Sequence, residues 1–123
     1  METSFRIETR PFPEGVIADL SGDLTKQAED TVYSLVRPDG GLGDGRRYLV
    51  LNFTHVPYIN SSGIAVLIRI VRSGRKSGFL TFSYGVTPHY QKLFRMVGLT
   101  EYMMLYPDEF AVLARIEALH DNG

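Results

Sequence analysis

Residues 58–67, YINSSGIAVL, contain the junction that decides the fold of this chain. A β-rich apolar run ends there and a run with helical periodicity begins, and four small residues, Asn-Ser-Ser-Gly at 60–63, stand between them. A purely structural turn does not require two adjacent hydroxyls. Open α/β sheets tend to place their functional sites at the carboxyl ends of their strands, so this junction is the first candidate site.

The segments on either side of the junction predict a parallel βαβ unit. Residues 48–53, YLVLNF, are almost continuously apolar, as expected for a central strand covered on both faces. Residues 80–84, LTFSY, alternate more cleanly and follow the helical run. A helix that crosses over between two strands of one sheet makes those strands parallel.

The N-terminal third predicts a hairpin and a first helix. Residues 4–9 and 15–21 alternate imperfectly and are separated by prolines and a glycine, which indicates two antiparallel strands with the first at the sheet edge. From Thr25 onward, a stripe of apolar residues with helical spacing runs until just before Pro38. That stripe consists of Ala28, Val32, Leu35 and Val36.

The glycine-rich residues 37–47, RPDGGLGDGRR, lack the Gly-Lys-Ser/Thr ending of a phosphate loop. We therefore expect a flexible connection between helix and strand.

The C-terminal third predicts two more helices around a short strand. Thr87 and Pro88 suit a helix start, and Gly98 suits its end. The core stripe of this helix is Tyr90, Leu93, Phe94 and Val97. Residues 103–106 predict a last strand, and residues 107–109, Pro-Asp-Glu, open the final helix. The expected fold is one α/β domain over residues 1–123, a mixed sheet of about five strands with about four helices in the order β-β-α-β-α-β-α-β-α.

Composition narrows the function classes. The chain has 123 residues, the size of one ordinary domain, and 13 Lys and Arg balance 14 Asp and Glu, so no basic excess indicates nucleic-acid binding. The absence of cysteine excludes disulfides, thiolate nucleophiles and cysteine metal sites. No signal-peptide pattern and no apolar segment of membrane-spanning length is present. We expect a soluble, cytoplasmic protein.

A helix that begins at the serines would have two unlike faces at 100° per residue. The face expected to contact the sheet contains Ile64, Leu67, Ile68, Val71 and Arg75. The opposite face contains Ser61, Ser62, Ala65, Arg69, Arg72, Ser73 and Lys76, with Val66 and Ile70 at its border. Small side chains followed by a basic stripe suit docking of an acidic or hydrophobic partner.

Helix capping is the alternative explanation for the polar residues of the junction. Asn and Ser are preferred N-caps, because their side-chain oxygens accept from unpaired helix N–H groups. One cap suffices, so Asn60, Ser61 and Ser62 include at least one residue that capping does not need. Which of them caps stays open at this point.

The sequence offers no catalytic constellation. The nucleophile elbow of hydrolases needs glycine two residues before its serine, where this chain has Ile59. His55, His89 and His120 are scattered without metal-ligand spacing. We expect a protein that is not an enzyme and holds neither a metal nor a cofactor.

Three segments in this order resemble the STAS domain of bacterial anti-sigma factor antagonists. They are residues 20–24, LSGDL; residues 59–63, INSSG; and residues 87–99, from Thr-Pro to Val-Gly-Leu. The central segment is the most specific of the three. The resemblance spans nearly the whole chain and implies a small α/β domain with a mixed sheet.

The resemblance also implies a function, a partner and a site. Such antagonists bind an anti-sigma factor, a serine kinase with the fold of histidine-kinase-like ATPases, and thereby free the sigma factor. The phosphorylated residue of the family maps onto Ser61, and phosphorylation would release the partner. The residues expected to bind the partner are Asp23, Thr25, Asn60, Ser61, Ser62, Gly63, Ala65, Val66, Arg69 and Arg72.

Two positions depart from the family pattern. The family usually has aspartate directly before the phosphorylated serine, where this chain has Asn60, and often an acid where it has Thr25. The departures leave two alternatives open. One is an unphosphorylated STAS scaffold, and the other is a small-ligand or nucleotide-binding STAS domain that uses residues 40–45 or a pocket near Asn60.

Overall fold

A five-stranded sheet forms the centre of the computed structural model, which describes residues 4–122. Its strands are β1 (Arg6–Phe12), β2 (Gly15–Ser21), β3 (Tyr48–His55), β4 (Leu80–Tyr84) and β5 (Met103–Tyr106), and they lie side by side in chain order. β1 pairs with β2 antiparallel, and each later pair is parallel. The mixed sheet, the opening hairpin, the edge position of β1 and the parallel β3–β4 pair are confirmed. Residues 1–3 and 123, which the expected domain includes, lie outside the described range.

Within the described residues, four α-helices flank the sheet. They are α1 (Glu29–Tyr33), α2 (Ser61–Ser77), α3 (Pro88–Met96) and α4 (Glu109–Asn122), with 3-10 turns at Lys26–Ala28 and Leu99–Glu101. Residues of α1, α2 and α3 share the larger core with one face of the sheet. Val112 and Ile116 of α4 pack against the other face. The predicted order of elements is confirmed.

The first helix is shorter than its apolar stripe predicted. α1 ends at Tyr33, because the chain then tightens: the Ser34 hydroxyl donates to the carbonyl of Thr31 at 2.6 Å, and the next two amides donate to carbonyls three residues back. Leu35 and Val36 still pack against the core from this turn. Leu35 and Val36 therefore continue the apolar spacing of a helix because they contact the core, although they lie beyond the end of α1.

The sheet-facing side of α2 is rotated from the predicted one. Val66 and Ile70, expected at the border of the exposed face, are each only 1 % exposed, whereas Arg75, expected toward the sheet, is exposed. Gly63 and Gly74 explain the difference, since they lie on the buried line and bring the helix close to Leu24 and Phe79. The predicted face was chosen from the positions of apolar side chains alone. Because glycine has no side chain, the contacts at Gly63 and Gly74 were not predicted.

The end of α3 also differs from the prediction. Val97 was expected in the core but is 44 % exposed. α3 ends at Met96, and the turn at Gly98, where φ is +79°, brings Leu99 into the core instead. Val97 is left at the surface beside α2.

Candidate functional site

Two loops join at the carboxyl ends of β2 and β3 and build the candidate site. Leu24 forms an isolated parallel bridge with Ile59. Its amide donates to the Tyr58 carbonyl at 2.9 Å, and its own carbonyl accepts from the Asn60 amide at 3.2 Å. The segment that carries Asp23 and Thr25 is therefore fixed beside the start of α2.

Gly63 allows this close approach. A Cβ atom at this position would collide with the Leu24 carbonyl oxygen. Gly63 is buried, so its predicted contact with a partner is wrong as a surface contact. Its role is to let the first turn of α2 pack on the loop after β2.

Asn60 caps α2. Its backbone is extended, and its Oδ1 accepts from the Gly63 amide at 2.9 Å. Ser61 and Ser62 follow as the first helical residues and are exposed. Within residues 4–122, neither hydroxyl takes part in a described hydrogen bond. The cap is thus assigned to Asn60, and both serine hydroxyls are accessible.

Thr25 is engaged locally. Its hydroxyl accepts from the Gln27 amide at 3.3 Å and donates to Oε1 of the same residue at 2.8 Å, which caps the 3-10 turn before α1. Asp23, two residues earlier, is partly exposed. Asp23 is the acidic residue nearest to Thr25 in the sequence.

Tyr90 supports the junction from α3. Its hydroxyl accepts a 3.0 Å hydrogen bond from the buried Ile59 amide, so α3 fixes the chain directly before the cap. Sequence reasoning treated Tyr90 as a core residue only. The partner of its hydroxyl depends on how two distant segments meet, and no local pattern signals it.

An apolar groove of about 320 Å³ opens beside Ser61, between α2 and α3. Its lining residues are Ile59, Asn60, Ser61, Ile64, Ala65, Ile68, Leu93 and Val97. Met96, adjacent to Val97 in the chain, is 73 % exposed. A pocket near Asn60 was one of the alternatives that the sequence left open, but the part of the lining that Val97 supplies was not predicted, because Val97 was expected in the core.

The outer side of α2 carries arginines that neighbouring side chains hold in place. Arg69 donates to the Tyr33 hydroxyl and to a Glu29 carboxylate oxygen, each at 2.7 Å. Arg72 and Arg69 are both exposed, and Ala65 is partly exposed. Val66 belongs to the core, so its predicted place among the exposed partner-binding residues is wrong.

The glycine-rich connection does not form an open anion cradle. The amides of Gly40 and Gly41 donate within the loop, to the Arg37 carbonyl and to Asp39 Oδ1, each at 2.8 Å. The Arg37 guanidinium covers the free side of Gly43. The expected connection from helix to strand is confirmed, and nothing in this arrangement favours nucleotide binding.

A second polar cluster lies on the α4 side of the sheet. Arg10 binds Asp19 at 2.7 Å and Glu109 at 2.6 Å, and the Tyr84 hydroxyl donates to Glu109 at 2.8 Å. Arg10 lowers the pKa of Asp19, and Arg10 followed by Tyr84 lowers the pKa of Glu109. Burial, followed by the bond to Glu109, raises the pKa of Tyr84 to about 12. The cluster ties the start of α4 to β1, β2 and β4.

Residues 4–122 contain no group of three or more His, Cys, Asp or Glu side chains placed to hold a metal ion. Across the same residues, no helix has the length and apolar character needed to cross a membrane.

The fold and the junction define a STAS domain. The family model for the STAS domain matches residues 6–111, and the chain belongs to that family. No curated protein is similar enough in sequence to be matched.

Several solved structures are similar in fold. SpoIIAA from Bacillus in its phosphorylated form is 20 % identical, with 92 % of this chain and 99 % of that chain covered and a TM-score of 0.63. The unphosphorylated anti-sigma factor antagonist SpoIIAA is 21 % identical, with coverages of 94 % and 97 % and a TM-score of 0.72. A serine-to-glutamate variant of RsbS from Moorella thermoacetica is 16 % identical, with coverages of 94 % and 98 % and a TM-score of 0.74.

The same fold also occurs inside a larger protein of another kind. The murine anion transporter Slc26a9 is 15 % identical, with 89 % of this chain but 18 % of the transporter covered, and a TM-score of 0.73. At these identities the likeness shows the fold alone. The function must therefore be argued from the junction and its surroundings.

Proposed function

We propose that this protein is an anti-sigma factor antagonist of a partner-switching module. It binds an anti-sigma factor that is also a serine kinase of the histidine-kinase-like ATPase fold. Phosphorylation of Ser61 then releases the antagonist from this kinase. The observation that carries the proposal is the exposed Ser61 hydroxyl at the start of α2, left accessible because Asn60 supplies the cap.

The chemical step takes place in the kinase. The Ser61 oxygen forms a bond to the γ-phosphorus of ATP, the bond between that phosphorus and the β–γ bridging oxygen breaks, and ADP leaves. The hydroxyl proton passes to a base on the kinase. The chain contributes an accessible nucleophile and no catalytic group of its own.

The fold is suited to carry the modification. A phosphoserine adds roughly two negative charges at neutral pH, and the N-terminus of a helix favours anions through its dipole and its unpaired amides. Ser61 is the first residue of α2, which is 17 residues long. We therefore expect the phosphorylated domain to stay folded.

The surroundings of Ser61 explain why a phosphate would weaken binding. Ser61 lies on the rim of the apolar groove, and a partner side chain in that groove would place the phosphate in a contact that excludes water. Removing a doubly charged group from water costs free energy unless cations compensate it, and Arg69 is already bound to Glu29. Release then follows from lost affinity without a change of fold.

The proposal places the protein in the bacterial cytoplasm, with ATP and the kinase, as one STAS domain over residues 1–123. The proposed partner surface consists of Asp23, Thr25 and Asn60 with the exposed residues Ser61, Ser62, Ala65, Arg69 and Arg72.

Mass spectrometry after incubation with ATP and the kinase tests the modification. The kinase to use is a purified serine kinase of the histidine-kinase-like ATPase fold from the same organism. We expect stoichiometric phosphate on the parent chain and on Ser62→Ala, and none on Ser61→Ala. Phosphate on Ser62, or none on any variant, would contradict the proposed acceptor.

A constitutive scaffold is the second candidate, and two observations favour it. Asn60 and Thr25 stand where the family usually has acids, and both are engaged as caps. If kinase recognition needs those acids, this chain binds its partner without being modified. Stoichiometric phosphate on Ser61 would argue against the scaffold.

A further inference from the structure

Two arginines of α2 stack on one aromatic ring. The guanidinium carbon of Arg72 lies 5.9 Å from the centre of the Tyr102 ring, and that of Arg75 lies 5.3 Å from it. Arg75 also reaches the Glu101 carbonyl at 3.4 Å. Tyr102 itself is partly buried, directly after the 3-10 turn Leu99–Glu101. One ring therefore holds two cations near the carboxyl half of α2.

These cations lack an acidic partner within the described residues. The ion pairs described in residues 4–122 use Arg10, Arg37, Arg46 and Arg69. Arg72, Arg75 and the neighbouring Lys76 are exposed and take part in none of these pairs. A chain with a net charge of −1 thus has a compact, uncompensated positive patch at this place.

We infer that Arg72, Arg75 and Tyr102 form an anchor for an acidic segment of the partner protein, the same partner that contacts Ser61. The inference rests on the proposed function. A guanidinium stacked on a ring keeps the N–H groups of its edge available for two-pronged hydrogen bonds to carboxylates. Because the ring already orders both side chains, binding loses less conformational entropy than it would with free arginines.

The anchor is continuous with the groove. Ile68 lines the groove, and Arg72 follows it one helical turn later on α2. From Ser61 to Arg75 the helix rises about 21 Å at 1.5 Å per residue. A single partner segment with an apolar side chain for the groove and carboxylates for the arginines fits this length.

An acidic polypeptide suits the patch better than a nucleic acid. Nucleic-acid binding uses many phosphate contacts along a basic track, whereas this patch is limited to the three cations Arg72, Arg75 and Lys76. Charges at this position are expected to raise the association rate and to make it depend on salt. The anchor therefore promotes encounter with the partner, while Ser61 controls release.

NMR titration with a hexaglutamate peptide at low salt tests the anchor without the kinase. We expect shifts concentrated at residues 72–76 and at Tyr102. Combined Arg72→Gln and Arg75→Gln should weaken binding at least about fivefold. Tyr102→Leu should weaken it about threefold because the ring face is lost, whereas Tyr102→Phe, which keeps the ring, should not. The matched charge control is Arg115→Gln, an exposed arginine of α4, which should leave binding unchanged.

Evenly spread shifts, or equal binding by the double variant and Arg115→Gln, would overturn the inference. Tighter binding of a thymidine oligonucleotide of equal charge, at the same residues, would also overturn it in favour of a nucleic acid. Ser61→Asp should bind hexaglutamate like the parent chain. Failure of the anchor is thus separate from failure of the phosphoserine switch, which is measured against the kinase.

Discussion

Asn60 caps α2, which leaves the serine hydroxyls available for another role. From the sequence alone, these two roles could not be assigned to particular residues. The Asn60 side chain accepts from the Gly63 amide at 2.9 Å, so neither serine is needed as the cap. Asn and Ser have similar preferences for the N-cap, and the sequence therefore predicted a cap within residues 60–62 without assigning it. The extended backbone of Asn60, with φ of −99° and ψ of −179°, decides the assignment.

Replacement of the cap residue tests this assignment. Asn60→Ala should lower the free energy of unfolding by about 1 kcal/mol, because the Gly63 amide loses its acceptor. Asn60→Asp keeps the acceptor and places a carboxylate at the helix N-terminus, so we expect unchanged or slightly higher stability. Urea denaturation measures both variants. If Asn60→Ala is as stable as the parent while Ser61→Ala is not, a serine is the cap.

Gly63 packs directly on the backbone of Leu24, which leaves no room for a side chain. Gly63→Ala should cost roughly 2–4 kcal/mol, because its Cβ would collide with the Leu24 carbonyl and separate two bonded loops. The control Ser62→Ala, exposed in the same turn, should change stability by less than about 0.5 kcal/mol. Equal denaturation midpoints for the two variants would show that the close packing at Gly63 is not needed.

Between elements, a side chain of α3 fixes the segment that joins β3 to α2. Tyr90→Phe should cost about 1–2 kcal/mol in unfolding free energy, because the buried Ile59 amide loses its acceptor. Tyr58→Phe, at a ring that is 50 % exposed, is the matched control and should have little effect. Equal thermal shifts for both variants would contradict a specific role for Tyr90.

The attachment of α4 should depend on pH. The pKa values of Asp19 and Glu109 are lowered in the folded chain, chiefly by Arg10. A carboxyl with a lowered folded-state pKa stabilises the fold above its unfolded-state pKa, about 4, and this contribution is lost as pH falls further. Arg10→Gln should therefore reduce the loss of stability between neutral pH and about pH 3. Denaturant titrations at several pH values measure this loss of stability. The same pH dependence in the parent chain and in Arg10→Gln would contradict the role of Arg10.

The presence and order of the helices and strands were largely predictable from the sequence. The orientation of α2 and the ends of α1 and α3 were not. The bounds of β2, β4 and β5 match the predicted residues, whereas β1 runs from Arg6 to Phe12 where residues 4–9 were predicted. The orientation of α2 depends on Gly63 and Gly74, whose contacts come from the tertiary fold. The end of α1 depends on a side-chain bond of Ser34, which no periodicity reveals. The groove near Asn60 gains part of its apolar lining from Val97, whose exposure after the end of α3 was not predicted.

For the whole molecule, the fold narrows the function without deciding it. Structures similar to this chain include anti-sigma factor antagonists and a domain of an anion transporter. The proposed function rests on local features: a capped helix with an accessible serine, an apolar groove beside it, and arginines further along the same helix. The resemblance of three short segments identified the family correctly, whereas the surface that would meet a partner could be described only from the structure.

The most direct measurement compares the affinity of the unphosphorylated chain and of the chain phosphorylated on Ser61 for the histidine-kinase-like ATPase, by titration calorimetry. We expect phosphorylation to weaken binding at least about tenfold, a change of about 1.4 kcal/mol, while both forms melt at nearly the same temperature. Equal affinity of the two folded forms would contradict release by phosphorylation.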